Sequence, residues 1–181
     1  MIDKTSLSLD QIIKVCLQKR FKTLDLPFVT NRQLHHWKAT GLLNDERELA
    51  SSGKKNEFDF FEVVWIRSIV LMRSFGIDNL LIAKVNSDMS NTSQGSNRAS
   101  LSIFQKQIAD TLFDEQNCFL VVSEQGDGRL VSKNEYANMV KGSIAEHHLS
   151  ITLNILIKEM LLLLDFDSDI QKIIKDYLDT E

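Results

Sequence analysis

Residues 58–75 run Phe-Asp-Phe-Phe-Glu-Val-Val-Trp-Ile-Arg-Ser-Ile-Val-Leu-Met-Arg-Ser-Phe, and they constrain the fold more than any other stretch. Asp59 followed by Glu62 has the spacing of a capping box, in which each side chain satisfies a backbone N–H of the other's turn. Behind it, Val63, Val64, Ile66, Ile69, Val70 and Met72 cover most of a helix circumference. A helix that is apolar nearly all round has no face to give to water, so it must lie at the centre of the core. The rest of the chain has to wrap it. Gly76 supplies a stop, and Asp78 caps a further helix that carries Leu80, Leu81, Ile82 and Val85.

Upstream, Ser8 caps a helix expected over residues 9–21, with Leu9, Ile12, Ile13, Cys16 and Leu17 at helical spacing. Pro27 cannot sit inside a helix and marks a turn. Thr30 and Gln33 form a second capping box, Leu34 and Trp37 fall on one face of the helix it opens, and Gly41 fits the left-handed stop. Residues 44–57 are polar and hold Ser51-Ser52-Gly53, which suits a hairpin.

Residues 86–100 are rich in Ser and Asn, with almost no large apolar side chains. Such a segment buries too little surface to order itself and reads as a linker. The expected division is therefore residues 1–86, a linker over 87–100, and a second unit over 101–181. That second unit reads as α+β. A helix is expected over 101–113, then strands over 118–122 and 129–131 joined through Gln125-Gly126-Asp127-Gly128, a hairpin signal. Ser132 and Glu135 open a short helix, residues 148–153 alternate as a strand, and Asn154 is expected to cap an apolar helix to about Leu164. Ser168 or Asp167 would cap a last helix. The fold class expected is mostly α with a small β component.

The formal charge of −4 is unevenly spread. Residues 1–85 hold 13 Lys and Arg against 10 Asp and Glu, and residues 86–181 hold 8 against 15. A basic half joined to an acidic half fits a nucleic-acid module attached to something that avoids nucleic acid.

The order capped helix, polar hairpin, buried helix, capped helix resembles the MerR-like winged helix-turn-helix over roughly residues 5–86. In that pattern the second helix ends in Gly-Leu-Leu behind an aromatic, and Leu34, Trp37, Gly41, Leu42 and Leu43 match its structural positions. The resemblance implies a cytoplasmic, sequence-specific transcriptional regulator whose partner is double-stranded DNA. The contacts it implies are Thr30, Asn31, Arg32 and Gln33 at base edges, with His35, His36 and Lys38 on the same helix. Arg47, Lys54 and Lys55 would follow on the wing. The sequence departs from the pattern at three places. His35-His36 stands where the family has the Arg-Tyr pair that holds phosphate, and Glu57 rather than Arg precedes Phe58. The Ser/Asn segment replaces the long dimerising helix. An excisionase-like or partition-type architectural protein and a winged-helix protein adaptor are the alternatives. The acidic half could supply a homodimer interface, a small-molecule effector pocket or a protein contact, and its residues do not choose among them.

Other chemistries fit poorly. The adjacent pairs His35-His36 and His147-His148 diverge on either a helix or a strand, so neither chelates a metal. Asp165, Asp167 and Asp169 imitate a calcium loop, but Ile170 holds the place of its Gly and Asp176 that of its Glu. No nucleophile stands with a base and an orienting acid, so neither enzyme activity nor a cofactor is expected. Cys16 and Cys118, with no CxxC spacing, read as reduced thiols. The longest apolar run, residues 155–164, is interrupted by Lys158 and Glu159 and is about half a membrane span.

Overall fold

Helix α3 (Phe60–Ser74) is the element around which the others assemble. Asp59 accepts from the Glu62 N–H at 2.8 Å, and Glu62 accepts in return from the Asp59 N–H at 2.8 Å. Nine of its fifteen residues are buried, on several sides of the helix. The computed structural model describes residues 8–18, 20–43, 57–91, 101–114, 117–142 and 147–164.

Among the described residues there are seven α-helices and two small antiparallel sheets, in agreement with a mostly helical α+β class. Helix α1 (Leu9–Cys16) opens with Ser8 and Gln11 in a reciprocal cap. It ends at Cys16 rather than at residue 21, because Phe21 is needed elsewhere. Strand β1 (Phe21–Lys22) pairs with β2 (Glu57–Phe58), setting Phe21 opposite Phe58, both buried. A 3₁₀ turn (Thr23–Asp25) follows, then α2 (Asn31–Ala39). Of the expected wing, residues 44–57, the stretch 44–56 lies outside the described residues, and Glu57 belongs to β2.

Helix α4 (Asn79–Ser90) is capped by Asp78 and runs beyond the expected boundary. Residues 87–90, assigned to a linker from composition, are its last turn, held by buried Asn86 and Met89. After α5 (Ile103–Asp114) comes a sheet ordered β4-β3-β5, formed by β3 (Cys118–Ser123), β4 (Gly128–Ser132) and β5 (His148–Thr152). Helix α6 (Lys133–Lys141) follows β4, and α7 (Leu153–Leu163) follows β5 directly.

The β3–β4 turn holds Gly126 at φ 79 and bends onto α4. A Cβ at Gly126 would meet Leu81 Cδ2 at 2.8 Å, and one at Gly128 would meet Val85 Cγ1 at 2.8 Å. These glycines serve close approach as well as the turn. The Gly128 N–H donates to Asp88 at 3.0 Å, and Lys84 donates to the Gln125 carbonyl at 3.1 Å. Across the middle of the molecule, Trp65 meets Phe104 edge-on at 5.2 Å, and Arg67 pairs with Glu159 at 2.6 Å. Most of the buried apolar residues, from Ile13 through Ile66 and Ile108 to Leu164, form one cluster; Val121 and Val131 of the sheet lie outside it.

Asn154 does not cap α7. It lies inside the helix, and its side chain instead accepts the Cys118 backbone N–H at 2.9 Å, 36 positions away in sequence. Thr152 holds the cap position without a side-chain bond.

Candidate nucleic-acid interface

Helix α2 is fixed at both ends. At the start, Gln33 Oε1 accepts from the Thr30 N–H at 2.9 Å and from its hydroxyl at 2.8 Å, while the Gln33 N–H donates to Thr30 Oγ1 at 3.2 Å. At the end, Gly41 takes φ 76 and the Leu42 N–H reaches back to the Trp37 carbonyl at 2.9 Å. Two side chains from other helices then hold that turn. Trp65 Nε1 donates to the Leu42 carbonyl at 2.8 Å, and the Asn86 amide donates to the Gly41 carbonyl at 3.0 Å.

Between these ends the helix has two unlike sides. Leu34 and Trp37 are buried. Arg32, His35, His36 and Ala39 are exposed, and at i, i+3, i+4 and i+7 they share one outward stripe. From Thr30 to Leu43 the chain holds Arg32, His35, His36 and Lys38 and no carboxylate. The first turn also presents the partial positive charge of a helix N-terminus.

The expected contact residues fall into three groups. Asn31, Arg32 and His35 are exposed, and no hydrogen bond or ion pair engages their side chains among the described residues. Thr30 and Gln33 are exposed but already occupied with each other. His36 and Lys38 are drawn toward the fold. The Asn79 amide lies 3.1 Å from His36 Nε2 and donates to it in the tautomer that leaves that nitrogen bare. Lys38, half-buried, sets its ammonium 6.0 Å from the Phe58 ring centre. Arg47, Lys54 and Lys55 lie outside the described residues.

Trp65, Asn79 and Asn86 position α2 and were not singled out from sequence. For Asn86 a signal existed: it stands four residues after Ile82 and three before Met89, on the buried stripe of α4.

Both thiols are buried, and burial pushes Cys16 and Cys118 up to about 12, so neither offers a thiolate near neutral pH. Among the described residues no group of three or more His, Cys, Asp or Glu could hold a metal ion. No helix among them is long and apolar enough to cross a membrane. Compared with known families, with curated proteins and with solved structures, the chain has no match.

Proposed function

We propose that this chain is a sequence-specific DNA-binding transcriptional regulator of MerR-like type, with α2 as the helix that enters the major groove. The observation that carries the proposal is the outward stripe of α2. It is rigidly anchored, free of carboxylates, and led by Arg32 and Asn31 at the helix start. Guanidinium and amide groups at that position match the base-edge patterns of the groove. Arg47, Lys54 and Lys55, on the polar segment after α2, would supply phosphate contacts, which position the protein without reading sequence.

The stripe also sets the character of the binding. With His35 and His36 where the resemblance would have Arg and Tyr, fewer fixed charges face the phosphates. Selection of bound fragments from a whole genome is the first test, and a single discrete motif is the expected outcome. On a labelled site from that selection, Arg32→Ala should relax base preference, at a cost on the order of 1–3 kcal/mol. Lys54→Ala with Lys55→Ala should weaken every sequence alike and flatten the salt dependence. Binding unchanged in all of these variants would remove α2 and the wing as the DNA surface.

One observation favours a protein-binding adaptor as the second reading. Leu80, one of the apolar residues that α4 carries, is 83% exposed and sits next to Asn79, which touches His36. An apolar side chain beside the outward stripe suits a protein surface better than a phosphate backbone. The absence of any selected motif, together with binding lost on Leu80→Lys to a captured protein, would shift the assignment there.

A further inference from the structure

Helix α4 stands between α2 and the β3–β4 hairpin, and it meets them with opposite sides. Asn79 and Asn86 lie on one line of the helix; the first touches His36 and the second holds the Gly41 carbonyl. Leu81, Lys84, Val85 and Asp88 meet the hairpin. At about 100° per residue, those four centre roughly half a turn away from the two asparagines. Buried Ile82 and Met89 fill the arc between on the core side, and Leu80 and Ser87 are exposed on the other. The helix is gripped from two sides.

The hairpin side has little slack. A Cβ at Gly128 would meet Val85 Cγ1 at 2.8 Å and the Val85 Cα at 3.4 Å. Val85 is buried and β-branched, so within a helix its side chain has one strongly preferred rotamer and does not swing aside. Pressure there bears on the α4 backbone, not on a soft side-chain end. Asp88 and Lys84 pin the same turn, one accepting the Gly128 N–H at 3.0 Å and the other donating to the Gln125 carbonyl at 3.1 Å. The grip on α2 is equally short, at 3.1 Å from Asn79 and 3.0 Å from Asn86. Close-packed interiors transmit strain because they hold few voids to absorb it.

We propose that the β3–β4 hairpin positions α2 through α4, so that the seat of Gly128 on Val85 sets the affinity of the groove-binding helix. Gly128, Val85 and Asp88 are positioning residues, acting through Asn79 and Asn86 rather than on DNA. The consequence for affinity rests on the proposed role of α2, whereas the mechanical link is readable without DNA. Such a seat gives the acidic half a route to regulate binding: whatever displaces the hairpin displaces α2.

Gly128→Ala in the full chain tests this by two readouts. Ring-proton NMR of the histidines follows the contact of His36 with Asn79, and exposed His35 on the same helix is the reference. Titration of the labelled site selected from the genome follows affinity. The added methyl should move the His36 resonances, leave those of His35 in place, and weaken DNA binding roughly 2- to 30-fold, the range for coupling through packed contacts. Adding Val85→Ala removes the atom that the methyl strikes and should return both readouts toward the parent. Asn154→Ala, which weakens the fold away from α4, should change neither, so lost stability is told apart from lost position. If Gly128→Ala does not fold, Asp88→Ala releases the Gly128 N–H from α4 and should also move the His36 resonances. Unmoved His36 resonances in the folded variant overturn the proposal. So does a shift that Val85→Ala fails to reverse, one that Asn154→Ala reproduces, or one that leaves the affinity of a DNA-binding parent unchanged. A parent that binds no selected site, with His36 still responding, overturns the DNA-binding reading and leaves the link from hairpin to helix standing.

Discussion

Helices α2 and α7 each bury one stripe in the same core, but they are secured by different means and turn unlike faces outward. Nine residues long and mostly polar, α2 buries only Leu34 and Trp37. A helix that short gains little from propensity alone, so its ends are pinned by Thr30, Gln33, Trp65 and Asn86. Helix α7 buries six of its eleven residues and has no side-chain cap. Its buried polar residue, Asn154, reaches sideways to β3 instead. Where burial is plentiful a cap is dispensable; where the exposed face must stay polar, caps and clamps take over. The outward stripes follow suit, with Arg32, His35 and His36 on α2 and the exposed Ile155 and Leu162 on α7.

The largest effect should come from Trp65, which ties the end of α2 to α5. Its N–H fixes the end of α2 and its ring packs on Phe104. Trp65→Ala should cost about 3–5 kcal/mol, the usual range for a buried large aromatic. The comparison sharpens in the form of the transition. With one shared core, far-UV dichroism and Trp37 fluorescence should lose structure together in denaturant. Two separate transitions would show that residues 8–91 and 101–164 are independent units. Protease nicking within residues 92–100 probes the same point, and fragments that stay associated under native conditions are the expected result.

Next is Asn154→Ala. It leaves the Cys118 N–H buried without its acceptor, a loss of about 1–3 kcal/mol. Thr30→Ala should cost less, about 0.5–2 kcal/mol, because water can replace an exposed cap. On the proposed function it should also weaken DNA binding, since the frayed turn carries Asn31 and Arg32. Equal losses at the two sites, measured by urea denaturation, would break the distinction between a helix held by burial and one held by its ends.

What could be read from the sequence was mainly local. The capping boxes at Ser132, Thr30 and Asp59, the left-handed turns at Gly41 and Gly76, and the all-round apolar α3 all depend on neighbours within a few residues. The misreadings involve distant partners. A two-residue strand such as β1 has no pattern of its own, and only its pairing with Phe58 makes it one. Asn86 and Asn154 look like a linker start and a cap until Gly41 and Cys118 are brought beside them. The stripe of α2 was legible because helical spacing alone defines it. That His36 is already engaged was not, for its partner Asn79 is brought to it by α4.

The smallest effect expected is at the surface bridge between α4 and the β3–β4 turn. The Lys84 ammonium lies 2.6 Å from the Asp127 carboxylate, with both side chains about half exposed. Hydrogen bonding to Lys84 holds the Asp127 carboxyl below its usual range, against the opposing effect of desolvation. A carboxylate lowered on folding stabilises the fold above its unfolded pKa, about 3.9. That contribution is lost as pH falls through the lowered folded value. Solvent screens so exposed a pair, and salt screens it further. Lys84→Gln should therefore leave Tm at neutral pH nearly unchanged and make the decline of stability below about pH 4 shallower. Added salt should erase the difference from the parent. A neutral-pH loss as large as that of Thr30→Ala would mean that the bond from Lys84 to the Gln125 carbonyl, rather than the charge pair, seats the hairpin on α4.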